Sequence, residues 1–422
     1  MINVIPVNLR AARIRYIVYR IFKKKLFRFY IHPTYRLIRY LGERLGIFHY
    51  LYPWVSGQPF KSPKIIHQGK HVLLLRPDHI GDLVYSLPSI LLIKESLEPQ
   101  DRLSILIDPC NSALAQHLEL FNNIYVFPIF NQAGNRSLPS ISEYQQLQNT
   151  LGHVDVLIDL RPDGDSFFLI EWINSDVVYR IHNQHRFIHK QLVSKMSQGL
   201  FENPQKPQEF WFCSKALKDS RPRLVFDFAL ATMNHLGKLN LMDLNRAIQA
   251  SQKLLQKHFP LKLKDDIVFC PEARVQEKVW ATENSHMLID YLVNQKHPFK
   301  IIGQKAFPYF ENFPSNRDLR TRTDIIEAME NIAQAKIYIG FDSGLAHFSC
   351  LIGTPTICIF TGRTDPRVWA GIPSADNLVI IKPNFSLPKR KLSRLLQRLF
   401  NPSQHQNVTA QHVISLLKTN YV

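Results

Sequence analysis

The chain has 422 residues, of which 45% are apolar and 20% charged. Those proportions exclude a disordered or low-complexity polymer, and the length suits two buried cores, because a single core rarely grows past roughly 250–300 residues. The net charge of +18 is uneven: residues 1–50 hold eleven Lys or Arg against one acidic residue, Glu43, which is +10 and leaves +8 for the other 372.

In the basic arm, Ile14, Ile17, Val18, Ile21 and Phe22 recur at helical spacing, with Arg13, Arg20, Lys24 and Arg28 on the other side. Two readings stay open: a helix lying on an anionic membrane surface, or an extra helix docked on the body with its charges in water. No nucleic-acid reading module accompanies the arm, so nucleic acid is not the expected partner. No cleavable leader pattern opens the chain, and no apolar run approaches the ~18–20 residues that span a bilayer. Cys110, Cys213, Cys270, Cys350 and Cys358 lie far apart without a C-x-x-C pair, which suits buried thiols in a reducing compartment. The expectation is a cytoplasmic protein, peripheral at most on the inner face of the membrane.

After a Pro- and Gly-rich linker (53–63), short apolar runs alternate with helical patterns. Strands are predicted at His71–Leu75, Ser104–Ile107, Ile124–Phe127 and Val154–Leu160, with a helix over Ile80–Ser96. The tract 180–262 reads as irregular, with helices near Phe226–Leu236 and Asp243–Leu255. A second alternating series follows: strands at Ile267–Cys270, Phe299–Ile302, Lys336–Phe341 and Thr356–Phe360, and helices near Glu283–Gln295, Asp324–Ala335 and Leu345–Ile352. Basic or apolar helices close the chain at Pro388–Phe400 and Ala410–Leu417. Strands alternating with helices imply parallel sheets covered on both faces, so the expected fold is α/β: two Rossmann-like, doubly wound domains facing a cleft. The expected division is an arm and linker (1–62), a first domain with connection (63–262), a second domain (263–385) and terminal helices (386–422).

Three strand-to-helix junctions carry candidate chemistry. In Tyr338-Ile-Gly-Phe-Asp-Ser-Gly-Leu-Ala-His347 an apolar strand stops at Asp342, Ser343 is placed to cap the next helix, and Gly344 permits close backbone approach. Such a helix start offers unpaired N–H groups and a partial positive charge to a phosphate, with His347 one turn in. The plainer alternative is a capped turn with a core-facing histidine. In Arg76-Pro-Asp-His-Ile-Gly-Asp-Leu83, Asp82 sits in the first helical turn; Asp78 and His79 compete with it as candidate bases. In Cys270-Pro-Glu-Ala-Arg…Lys278-Val-Trp280, Lys278 or Arg274 can reach a diphosphate as a mobile cation. Asp163 and Asp165, after the fourth strand, are the remaining close carboxylate pair and are read as possible acceptor contacts. No P-loop, G-x-G-x-x-G, zinc-site or G-x-S-x-G pattern occurs, which disfavours ATPase, dinucleotide oxidoreductase, zinc and serine-hydrolase readings.

These blocks, with Gly353-Thr-Pro and Thr364-Asp-Pro beyond the third junction, resemble glycosyltransferase family 9, the heptosyltransferases of GT-B fold. The resemblance covers roughly residues 70–385. It implies an inverting transfer needing neither metal nor cofactor. Asp82 would be the general base, Lys278 would contact the donor phosphates, Asp342 would face the sugar, and Ser343, Gly344, Leu345, Ala346 and His347 would surround the pyrophosphate. The implied partners are a nucleotide-diphosphate sugar, with ADP-heptose favoured, and a glycan or glycolipid acceptor of lipopolysaccharide type. Two departures stand out: Glu272 where the family often has glycine, and Thr361-Gly-Arg in place of Gly-Pro. A nucleotide-sugar epimerase or hydrolase, or a degenerate membrane-docked binding protein, are the competing expectations.

Overall fold

The computed structural model describes residues 69–128, 140–161, 167–182, 208–213, 220–238, 242–262, 264–275, 278–304, 316–362, 364–370, 377–382 and 408–420. The basic arm, Asp163, Asp165 and the predicted helix Pro388–Phe400 lie outside them.

Two parallel sheets form the frame. The first holds β1 (His71–Arg76), β2 (Arg102–Ile107), β3 (Asn123–Val126), β4 (Val154–Asp159), β5 (Ser175–His182) and β6 (Gln208–Cys213), in the order β3-β2-β1-β4-β5-β6. The second holds β7 (Ile267–Phe269), β8 (Phe299–Ile301), β9 (Ile337–Phe341), β10 (Thr356–Ile359) and β11 (Leu378–Ile381), in the order β11-β10-β9-β7-β8. Both are doubly wound orders, in which the direction of winding reverses beside a central strand. The reversal falls between β1 and β4 in one sheet and between β7 and β9 in the other. Ligands of such sheets bind outside the carboxyl ends of the strands at that point. All three predicted motifs leave from there.

The apolar runs explain the strands. Every residue of β1, β4 and β9 is buried, as expected for central strands covered on both faces, whereas edge strand β3 is partly exposed. The helices of the first half are α1 (Ile80–Ser96), α2 (Ser112–His117), α3 (Ile141–Leu151), α4 (Phe167–Trp172), α5 (Arg221–His235) and α6 (Leu244–His258). Those of the second are α7 (Thr282–Asn294), α8 (Ile325–Ala333), α9 (Gly344–Ile352), the short α10 (Pro366–Trp369) and α11 (Ala410–Asn420).

α1 packs on α5 and α6, and also on α9 of the second sheet. α6 bridges that seam, touching α9 as well; Phe259 at its end meets Phe348 edge to face at 5.0 Å. One apolar cluster therefore runs from Leu74 and Leu83 through Phe226 and Phe259 to Phe348 and Leu351. The outer face of the second sheet is covered by α7 and α11, through Leu288, Val413 and Leu417, and that of the first through Leu147 and Ile170. The contact of α1 with α9 is what fixes the two central strand ends against each other.

Candidate active site

The β1–α1 junction is built on an arginine. Arg76, the last residue of β1, has no solvent exposure. Its Nε donates to the Asp82 carbonyl at 3.0 Å and Nη1 to the Leu160 carbonyl at 3.0 Å; Nη2 donates to Asp82 Oδ1 at 3.3 Å and to the Tyr85 hydroxyl. Nη1 also pairs with Asp78 Oδ2 at 2.8 Å, while Arg161 Nε lies 2.8 Å from the other Asp78 oxygen. Asp78 is thus held by two guanidinium groups and is 5% exposed, which removes it as a candidate base. His79 precedes α1 with extended backbone, and its N–H donates to Asp82 Oδ2 at 3.3 Å. Burial and the nearby Arg274 push its imidazole down to about 4, so it is neutral at pH 7 and a weak base. Asp82 keeps 20% of its side chain exposed. Burial pushes its carboxyl up, but Arg76, the Tyr85 hydroxyl and His79 outweigh this and hold it below the ordinary range. Of the three candidates, Asp82 is an ionised carboxylate with one side open.

At the β9–α9 junction Asp342 is the hub. Its carboxyl is 2% exposed; Oδ2 accepts from Lys278 Nζ at 2.6 Å and from Thr364 Oγ1 at 2.6 Å, and Oδ1 lies 3.7 Å from His347 Nε2. Lys278 Nζ also reaches the Asp342 carbonyl, at 3.3 Å. Ser343 occupies the N-cap position of α9 with the extended backbone usual there, but its side chain makes no capping hydrogen bond. The first helical bond runs from His347 N to the Ser343 carbonyl at 3.2 Å. The amides of Gly344, Leu345 and Ala346 therefore stand ahead of the hydrogen-bonded turns, an arrangement that accepts an anion. His347 is buried, which lowers its pKa against the pull of Asp342 and Asp82, and its Nδ1 has no hydrogen-bond partner among the described residues.

The two junctions touch. A Cβ on Gly81 would lie 2.7 Å from His347 Cδ2 and 3.1 Å from Gly344 Cα; one on Gly344 would lie 2.9 Å from Gly81 N. The sequence suggested that Gly344 permits close backbone approach; in the structure Gly344 and Gly81 approach each other, so two helix amino termini meet at one point. Tyr85 of α1 sets its ring edge-on to His347 at 6.1 Å, and Arg274 is hydrogen-bonded to His79 Nδ1 across the same gap. Asp82 of one half and the Lys278–Asp342–His347 group of the other thus lie beside the same contact.

Glu272 is anchored beside the end of β8: its carboxylate accepts the N–H of Gln304 and packs on Gly303. Trp280 belongs to the core, donating to Ser285 Oγ at 2.7 Å and packing on Phe269 and Phe341. Four participants were missed: Arg76, Tyr85, Arg161 and Thr364. Arg76 and Thr364 stood inside quoted motifs without drawing notice, while Tyr85 and Arg161 carry no local pattern to mark them. Among the described residues one trio has metal-ligand spacing, His153, Asp155 and Asp176, but it lies at the amino ends of β4 and β5, the opposite edge of the sheet.

The profile of glycosyltransferase family 9 (heptosyltransferase) matches residues 187–399, half of the chain. The chain belongs to that family. Its fold is similar to that of E. coli heptosyltransferase WaaC with ADP (TM-score 0.57, 14% identity, 82% of this chain and 99% of that one). It is also similar to a family 9 glycosyltransferase from Veillonella parvula (TM-score 0.56, 14% identity, 83% and 96%) and to E. coli ADP-heptose lps heptosyltransferase II (TM-score 0.51, 15% identity, 82% and 97%). No curated protein matches in sequence. At such identities the structural likeness carries the fold, and the fold of this family 9 chain is GT-B.

Proposed function

We infer that this chain is an inverting glycosyltransferase that moves a sugar, heptose from ADP-heptose being favoured, onto a hydroxyl of a lipopolysaccharide-type or other glycan acceptor. The observation that carries this reading is the Gly81–Gly344 contact, which sets the ionised Asp82 against an anion-accepting helix start. Asp82 takes the proton of the acceptor hydroxyl as its oxygen attacks the anomeric carbon. The bond from that carbon to the diphosphate breaks on the opposite face. The departing diphosphate settles on the amides of Gly344, Leu345 and Ala346, beside His347 and Lys278, while Ser343 borders the turn and Asp342 faces the sugar. Lys278 and the helix terminus supply the charge that a divalent cation supplies in other transferases, so no metal is required. The donor preference follows from the company of this fold: WaaC has been solved with ADP and with ADP-2-deoxy-2-fluoro heptose. Asp163 and Asp165 are proposed for the acceptor, and the basic residues 1–50 for an anionic membrane surface on the cytoplasmic side. No helix among the described residues is long and apolar enough to cross a membrane.

One set of assays on purified protein tests this. ADP should raise the melting temperature more than UDP or GDP, since a ligand bound to the native state stabilises it by mass action. Donor should be consumed only with acceptor present, equally well in EDTA, and the chain without residues 1–50 should sediment less with anionic liposomes. Donor turnover without acceptor would replace the transferase reading by an epimerase or hydrolase; loss of nucleotide binding altogether would leave a binding protein.

A further inference from the structure

The least solvated charge in the site belongs to Arg76, and besides its ion pair with Asp78 it makes two contacts to Asp82. It grips Asp82 twice, at the carbonyl (3.0 Å) and at Oδ1 (3.3 Å), and holds Tyr85, the next residue on that face of α1, by its hydroxyl. The guanidinium carbon stands 4.8 Å over the Tyr85 ring, and the Leu160 carbonyl fixes the far side of the group. With no exposure and a planar fork filled on every edge, Arg76 has one orientation. We propose that Arg76 is a positioning residue of the transfer reaction, fixing the rotamer and aim of the Asp82 carboxylate without touching either substrate. The inference rests on Asp82 being the base.

The charge balance says why the effect falls on Asp82. Arg76 and Arg161 face Asp78 and Asp82, so the buried group is neutral as a set. Asp78 has a second cation in Arg161 at 2.8 Å. Asp82 has none besides Arg76 among the described residues. The other groups facing Asp82 are the His79 backbone N–H and imidazole, the Tyr85 hydroxyl, the Cys110 thiol, and His347 from α9. His79 and His347 are neutral at pH 7, and burial pushes Cys110 up to about 12. None of these replaces a lost guanidinium. Without Arg76, burial is opposed only by the Tyr85 and His79 contacts, and the Asp82 carboxyl rises.

The test is the pH profile of kcat/KM for acceptor, measured on the full chain at saturating donor, for Arg76→Gln, Arg76→Lys and Asp82→Asn. Arg76→Gln keeps a donor near the Asp82 carbonyl and removes the charge. Its acid limb should move to higher pH, with kcat down about 100-fold, the scale of a small misplacement of a reacting group, and donor KM within about twofold of the parent. Arg76→Lys keeps the charge and loses the fork, so its limb should stay with the parent's while kcat falls about tenfold. A folded Arg76→Gln with an unmoved limb, or an Arg76→Lys with parental kcat, overturns the proposal. If Arg76→Gln fails to fold, Tyr85→Phe, which removes the hydroxyl bonded to the same guanidinium, should move the limb upward by a smaller amount; an unmoved limb there counts against it equally. Asp82→Asn separates the two ideas: retained turnover would sink Asp82 as base, whatever the Arg76 variants do.

Discussion

His347 combines three conditions that rarely coincide: a buried ring, a buried Nδ1 with no partner among the described residues, and an aspartate 3.7 Å from its other nitrogen. Burial lowers the pKa of the imidazole against the pull of Asp342 and Asp82 and favours its neutral form. A diphosphate on the α9 amides adds negative charge within its reach, which favours the imidazolium and lets both nitrogens donate, one to Asp342 and one to the ligand. Nucleotide binding should therefore take up a proton. Affinity for ADP should rise as pH falls from 8 to 6, by at most about tenfold per unit for one proton. Calorimetry in buffers of different ionisation enthalpy measures the uptake; it should vanish in His347→Asn, and a parent without uptake would mean that His347 stays neutral in the complex. The position of Asp342 at a strand end was legible in the sequence. That its carboxylate gathers Lys278, Thr364 and His347 was not, because those residues come from three separate segments.

The paired glycines set the distance between α1 and α9. A methyl group on Gly344 would meet the Gly81 nitrogen at 2.9 Å and the Ile80 side chain at 3.2 Å, and the backbone of α1 cannot yield without moving the helix. Gly344→Ala should push the junctions apart and lower kcat by about 100-fold, the scale of a 1 Å misplacement, while the fold survives by circular dichroism. Gly81→Ala meets the His347 ring instead, at 2.7 Å, and should weaken ADP binding more than it slows transfer. Unchanged kinetics in both variants would show that the contact does not set the site. Sequence gave no sign of this contact, because each glycine suits its own turn and nothing local marks its partner. The elements themselves were more readable. α1 is bounded as expected, by a polar turn before Ile80 and the end of an apolar run at Ser96, and α5 and α6 show through the 180–262 tract by their spacing. β5, β6 and β11 were missed. Val177, Val178, Tyr179 and Ile181 form a strand in β5, but Arg180 and His182 interrupt it and β6 follows only after a long polar stretch. Strand order was out of reach, since it is a property of pairing across the sheet and not of any one run.

At the scale of the molecule, two sheets share an apolar seam through α1, α6 and α9, and the ends of β1 and β9 open onto a common space. Both sheets place their reversal of winding there, so the chemistry sits where doubly wound sheets leave room for ligands. In the proposed reaction the labour is divided: one half would contribute the base and the arginine that steadies it, the other the cation, the helix terminus and the histidine for the diphosphate. That division is the central claim, and Asp82→Asn tests it most directly. Assayed with ADP-heptose and a glycan acceptor alongside calorimetry with ADP, the variant should lose transfer by at least about a thousandfold, a proton-transfer contribution of the usual size with lost charge added, and bind ADP within about twofold of the parent. A variant that still transfers sugar at the parental rate would contradict it.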